Sequence, residues 1–167
     1  LRSLSLLLAI LTLVFAVSGC SRDPNVRKQK YLESGKRYME KEKYREATIQ
    51  FSNALRVDRT FADAHYQLAT AYAKMGSYQS AYAELMQTVQ LQRNNIKAGV
   101  DLGNLQLAGR AKDKATEQAN AAELIDPNNA DVHALKSGIA ASNGDRAGAF
   151  AEIEKAIALD PKKPNFY

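Results

Sequence analysis

The chain has 167 residues, 46% of them hydrophobic and 25% charged, a balance that supports a folded core and excludes a wholly disordered chain. Its formal charge of +5 comes from 23 basic and 18 acidic residues mixed in runs such as Lys41-Glu42-Lys43, so no basic stripe points to a nucleic-acid partner. One cysteine and two histidines exclude an internal disulfide and leave too few ligands for a zinc, haem-attachment or Cys-His arrangement.

The first 19 residues read as an export leader: Arg2 gives a positive head, Leu4 to Val17 an almost unbroken apolar run, and Val17-Ser18-Gly19-Cys20 a close. The run is shorter than the roughly 20 residues that span a bilayer. Small residues before a lone cysteine resemble the bacterial lipoprotein cleavage box. That resemblance implies an acylated Cys20 and a lipid-anchored protein of the bacterial envelope, facing the periplasm or exterior. Ser21, where aspartate would favour inner-membrane retention, leans toward the outer membrane. Residues 20–27 then form a tether broken by Pro24, and Arg22, Arg27, Lys28 and Lys30 lie where they could approach anionic head groups.

From there on, apolar and small residues recur at helical spacing. A first helix is expected from Val26 or Arg27 to about Glu40, with Tyr31, Ser34, Gly35 and Tyr38 on one face. The clearest unit is 62–95, where Leu68, Ala69 and Tyr72 precede Gly76, and Ala81 and Leu85 follow it: a helix, a turn and a second helix. Shifting that unit by 34 residues either way overlays it on 28–61 and 96–129, and a further shift on 130–163, without insertion or deletion. Ala47, Ala81, Ala115 and Ala149 then share one position, and Gly76 and Gly144 share the turn. Asp126-Pro127 and Asp160-Pro161 end second helices, because proline cannot continue the hydrogen-bond ladder. Thr60, Asn95 and Asn129 lie near the next helix starts, with Asp63 and Asp131 in the following first turns. Residues 164–167 read as the start of a fifth, truncated unit, since Tyr167 falls at the position held by Tyr31.

The 34-residue period, the aromatic or histidine at position four, the small residue at eight, the alanine at twenty and the closing Asp-Pro resemble the tetratricopeptide repeat. The resemblance implies an all-α, right-handed solenoid of stacked antiparallel helix pairs, each pair touching only its neighbours. Unit three departs most, with Gly99 at position four and Gln106 where a tyrosine is usual, and is the expected weak joint.

In related scaffolds, positions 2, 5, 9, 12 and 13 line a concave groove. Carried over, these are Gln29, Leu32, Lys36, Met39 and Glu40; Asp63, Tyr66, Thr70, Ala73 and Lys74; Lys97, Val100, Asn104, Leu107 and Ala108; and Asp131, Ala134, Gly138, Ala141 and Ser142. Such a lining suits an extended peptide or a helix. A clamp for terminal carboxylates, which uses lysines and asparagines in adjacent units, is argued against: only Lys36 and Asn104 stand at position nine, two units apart. Tyr66 is either an anchor for a partner or an ordinary surface aromatic, whereas Tyr31, Tyr38 and Tyr72 belong to the core.

No enzyme is expected. His65 and His133 both occupy position four and lie roughly 20 Å apart, too far to share a metal whose nitrogen ligands stand about 2.1 Å away. Gly99 to Gly109 lacks the Gly-Lys-Ser/Thr of a phosphate loop. The expected function is a non-catalytic protein-interaction adaptor with a protein or peptide partner, a membrane anchor, and neither cofactor, metal, nucleic acid nor small-molecule substrate. The alternative is the scaffold or docking part of a larger envelope assembly for polysaccharide or pilus biogenesis, or of an enzyme whose catalytic part lies beyond residue 167.

Overall fold

In the computed structural model residues 23–163 are described; the leader of 1–19, Cys20, Ser21, Arg22 and the 164–167 segment lie outside them. Eight helices follow among the described residues: α1 Pro24–Glu40, α2 Tyr44–Val57, α3 Ala62–Lys74, α4 Tyr78–Leu91, α5 Ile96–Ala108, α6 Lys112–Ile125, α7 Ala130–Ser142 and α8 Arg146–Leu159. No helix among them is long and apolar enough to cross a membrane.

Local chemistry explains most of the boundaries. The first helix begins at Pro24, earlier than the expected Val26 or Arg27 and inside the expected tether. Proline lacks an N–H that the first turn leaves unbonded anyway, and the Asp23 carboxylate accepts from the Asn25 N–H at 2.8 Å. Asn95 and Asn129 cap α5 and α7 by accepting from Ala98 N–H and from Asp131 and Val132 N–H. Thr60 does not cap α3; its N–H and hydroxyl both donate to Asp58, which Lys28 also holds at 2.6 Å. Lys28 is thus committed to the fold, while Arg27 and Lys30 remain exposed.

Every hairpin turns through one left-handed residue at the same position. Gly76 and Gly144 have φ of 73° and 80°, as glycine allows, but Glu42 and Arg110 hold 56° and 62° with a side chain. The turn geometry therefore persists where the glycine signal is missing.

Within each hairpin the two helices pack antiparallel, and each second helix packs on the next first helix, giving the α-solenoid. Close approach comes from small side chains: Ala47, Ala81 and Ala115 are completely buried. Ala149 is only half-buried, because among the described residues no further helix covers the outer face of α8, which buries Ala156 alone. The core runs in three adjoining clusters. One centres on Leu32, Phe51 and Leu68, one on Ala69, Leu85 and Leu102, and one on Ala119, Val132 and Leu135. First helices also touch across repeats, α1 on α3 and α5 on α7, whereas α3 and α5 meet less closely.

Gly35 and Gly99 make opposite predictions. A Cβ at Gly35 would stand 2.3 Å from a ring carbon of Phe51, which is fully buried and cannot retreat. Gly35→Ala should therefore destabilise by about 1–3 kcal/mol in chemical denaturation. At Gly99 nothing lies within 4 Å of the added carbon, so Gly99→Ala should stabilise by about 0.5–1 kcal/mol through helix propensity. Equal effects of the same sign would contradict this packing.

Candidate partner-binding groove

The first helices of successive repeats present the expected concave residues unevenly. Gln29, Glu40, Asp63, Lys74, Lys97 and Asn104 are exposed, while Lys36, Met39, Tyr66, Thr70, Ala73 and Leu107 are half-buried. In the fourth repeat Asp131, Ala134 and Gly138 are half-buried, and Ala141 and Ser142 are exposed. Leu32 and Val100 belong to the core instead, only 1% and 5% exposed. Position five lies at the seam between first helices, so an aliphatic residue there is covered by the next repeat: Leu32 packs with Ala64 and Leu68, and Val100 with Val132 and Leu135. Ala108 lies on another cleft, shared with α4 and α6.

Four of the expected residues come together. Thr70, Ala73, Lys74 and Asn104 line an open cleft of about 360 Å³ between α3 and α5, with Ala69, Leu85 and Leu105 as its apolar floor and Asp101 in its wall. The cleft opens where α3 and α5 meet less closely than the flanking pairs of first helices do. At the near end Gln29 and Lys36 are both tied to Glu33, at 2.9 and 3.0 Å, which leaves them less free to meet a partner.

Tyr66 takes neither of its two expected roles in simple form. Its hydroxyl donates to Asp101 Oδ2 across the repeat boundary at 2.7 Å, its ring packs on the middle core cluster, and Lys97 Nζ lies 5.6 Å from the ring centre. It is a clasp between the second and third repeats. Burial, then the neighbouring Asp101 charge, pushes the Tyr66 phenol well above its usual range. Burial likewise raises Asp101, against the opposing effect of the Tyr66 hydrogen bond. Tyr31, Tyr38 and Tyr72 pack against the first core cluster.

The histidines are brackets. His65 Nδ1 lies 2.6 Å from Glu84 Oε2 and its Nε2 3.0 Å from the Arg59 carbonyl; His133 repeats this with Glu152 at 2.6 Å and the Pro127 carbonyl at 2.9 Å. Each ring joins the two helices of its hairpin to the preceding loop. The partners had a signal in the sequence, since a glutamate follows each histidine by 19 residues whereas the other two units carry Gln50 and Gln118 there. Asp101 had none. Among the described residues no group of three histidine, cysteine or acidic side chains could hold a metal.

A family described as TPR repeat matches residues 35–76, and another described as tetratricopeptide repeat matches 62–95. Residues 35–95 thus match tetratricopeptide models. Over the whole described array the tetratricopeptide fold recurs in solved structures. YrrB, described as a TPR protein with an unusual peptide-binding site, is 26% identical, with a TM-score of 0.70 over 90% of this chain and 83% of that one. MamA from Desulfovibrio magneticus RS-1 is 20% identical, with a TM-score of 0.73 over 84% and 79%. PilF of Pseudomonas aeruginosa is 19% identical, with a TM-score of 0.75 over 86% and 65%. A tetratricopeptide repeat and J domain-containing co-chaperone of Cryptococcus neoformans is 25% identical over 78% of this chain, which spans only 27% of that relative's length.

Two consequences can be measured. Tyr66→Phe leaves the half-buried Asp101 without its donor and should destabilise by about 1–3 kcal/mol at neutral pH. The deficit should shrink in acid, where Asp101 takes up a proton; an equal deficit at both pH values would contradict the clasp. His65 is raised above its ordinary value, first by the Glu84 hydrogen bond, against burial, with the Arg59 carbonyl adding to it. A folded-state pKa above the unfolded one means that this contribution is complete below the unfolded value and is lost as pH rises through the folded one. Stability should therefore fall as pH rises above the ordinary histidine range, and Glu84→Gln should flatten that fall; an unchanged slope would exclude His65 as its source.

Proposed function

We propose that this chain is a non-catalytic adaptor that holds an extended peptide or a helix of a partner protein in the concave groove, anchored to a bacterial envelope through an acylated Cys20. The tetratricopeptide fold supports a protein-interaction scaffold. The observation that carries the groove reading is the open cleft of about 360 Å³ between α3 and α5. Its apolar floor can receive a side chain, and Lys74 and Asn104 at its edge can bond a partner's backbone or carboxylates. YrrB, described as a TPR protein with an unusual peptide-binding site, lends the reading further support. The anchor rests on the leader pattern and on the single cysteine that closes it.

A second reading is the scaffold portion of a larger envelope assembly for polysaccharide or pilus biogenesis, or the docking part of an enzyme. One observation favours it. The outer face of α8 leaves Phe150 69% exposed beside a cleft of about 530 Å³ lined by Ser137, Ala141 and Ile153, a surface suited to a further packed helix.

Affinity capture from bacterial membranes tests the main reading, with the full chain compared against a Lys74→Glu, Asn104→Ala variant of unchanged helicity. The variant should lose most of the captured partner; retention of the same proteins at the same yield would remove the groove from the account. The anchor has its own test, because Cys20→Ser should shift the protein from the membrane to the soluble fraction and abolish the acyl mass. An unchanged fractionation and mass would exclude lipidation.

A further inference from the structure

The two ends of the array differ in chemistry. The chain's excess of basic over acidic residues lies entirely before residue 62, and from there on the two signs balance to within one charge. Within the first repeat the cations divide into two groups. Lys28 is held by Asp58 and Lys36 by Glu33, whereas Arg27, Lys30, Arg37 and Lys41 are exposed and, among the described residues, make no ion pair with a carboxylate.

The first helix gathers these four cations on one side. At about 100° per residue they fall within an arc of about 80°, and they run about 20 Å along the axis. α1 packs on α2 through Gly35, against Phe51, and on α3 through Leu32, beside Ala64 and Leu68. The arc points away from both contacts, and among the described residues no helix precedes α1 to cover it. Nearby carboxylates are already engaged or flanked: Glu33 accepts from Gln29 and Lys36, Asp23 caps the helix, and Glu42 stands between Lys41 and Lys43. Val26, 50% exposed, adds an apolar side chain next to Arg27.

We infer that this face of α1 docks on an anionic lipid bilayer, with Arg27, Lys30, Arg37 and Lys41 meeting the head-group phosphates and the solenoid axis standing away from the membrane. Charge complementarity favours the occupant, and position narrows it. α1 starts four residues after Cys20, a reach of about 14 Å at most. The anchor proposed above, on which the choice of a lipid rests, therefore holds this face at the head groups. Each basic residue brought to an anionic surface strengthens binding about fivefold, and the long Lys and Arg stems can lie along the interface while their charges reach the phosphates. Docked this way, the basic end covers itself with lipid, and the uncovered face of α8 at the other end points toward partners.

The test is the partition of the full chain between vesicles of phosphatidylcholine alone and vesicles that also contain phosphatidylglycerol, with Cys20 intact and as Cys20→Ser. Acyl chains and leader meet the same hydrocarbon in both vesicles, so the ratio of the two partition coefficients isolates the basic face, while binding to the neutral vesicles reports the anchor separately. The chain should prefer the anionic vesicles by about 100-fold at low salt, with or without Cys20, and the preference should shrink as salt is raised. Glutamine at all four positions, Arg27, Lys30, Arg37 and Lys41, should erase it with helicity unchanged. Glutamine at Lys114, Arg146, Lys155 and Lys162, which removes the same charge elsewhere, should leave it in place. Equal loss in the two variants would reduce the effect to net charge and overturn the proposal. So would the absence of any anionic preference, including the case in which the first variant instead loses an acidic protein captured from membranes, which would assign the face to that protein.

Discussion

Close approach of paired helices is the constraint on which everything else in this molecule rests. Ala47, Ala81 and Ala115 leave no side-chain bulk between the two helices of a hairpin, and the fully buried Phe51 ring against Gly35 shows the same economy of space in the first unit. Once the helices of a hairpin lie this close, one apolar stripe remains unburied on each, and only the next hairpin can cover it. Stacking follows, and with it a surface that curves along the row of first helices instead of closing into a pocket.

The row is not uniform. The first and second repeats share one core cluster, the third and fourth another, and the middle cluster between them is built partly from half-buried residues such as Tyr66, Tyr82 and Leu105. Two clefts, of about 360 and 640 Å³, open at this middle boundary. The cause is chemical: the third unit has Gly99 and Gln106 where bulk is usual, so the seam loses apolar contact and is held by a polar clasp, Tyr66 to Asp101. A boundary of this kind gives up packing and gains recesses. That exchange is how a structural repeat comes to offer distinct surfaces for recognition.

Much of this architecture is legible in the residues alone. The 34-residue period appears in the helices as starts at 44, 78, 112 and 146, because small residues at fixed positions leave few ways to pair the helices. Unit three could be recognised as the odd one from Gly99 and Gln106. Other features were hidden for physical reasons. Pro24 reads as a breaker unless its place in the first turn is known. Glu42 and Arg110 adopt a conformation that their side chains disfavour, imposed by the hairpin around them. Leu32 and Val100 share a helical position with Tyr66, and whether such a residue faces a partner or the next repeat depends on the seam, which a single sequence does not show. The Tyr66–Asp101 contact joins residues 35 apart through the stacking itself, so it carries no local pattern.

The most direct measurement is the unfolding free energy of Ala81→Leu, Ala115→Leu and Ala149→Leu, followed by circular dichroism in denaturant. At Ala81 and Ala115, both fully buried, the larger side chain should cost about 1–3 kcal/mol; at the half-buried Ala149, whose outer side is open, it should cost clearly less. If leucine were accepted at Ala81 and Ala115 as readily as at Ala149, close packing of hairpins would not be what holds this array together.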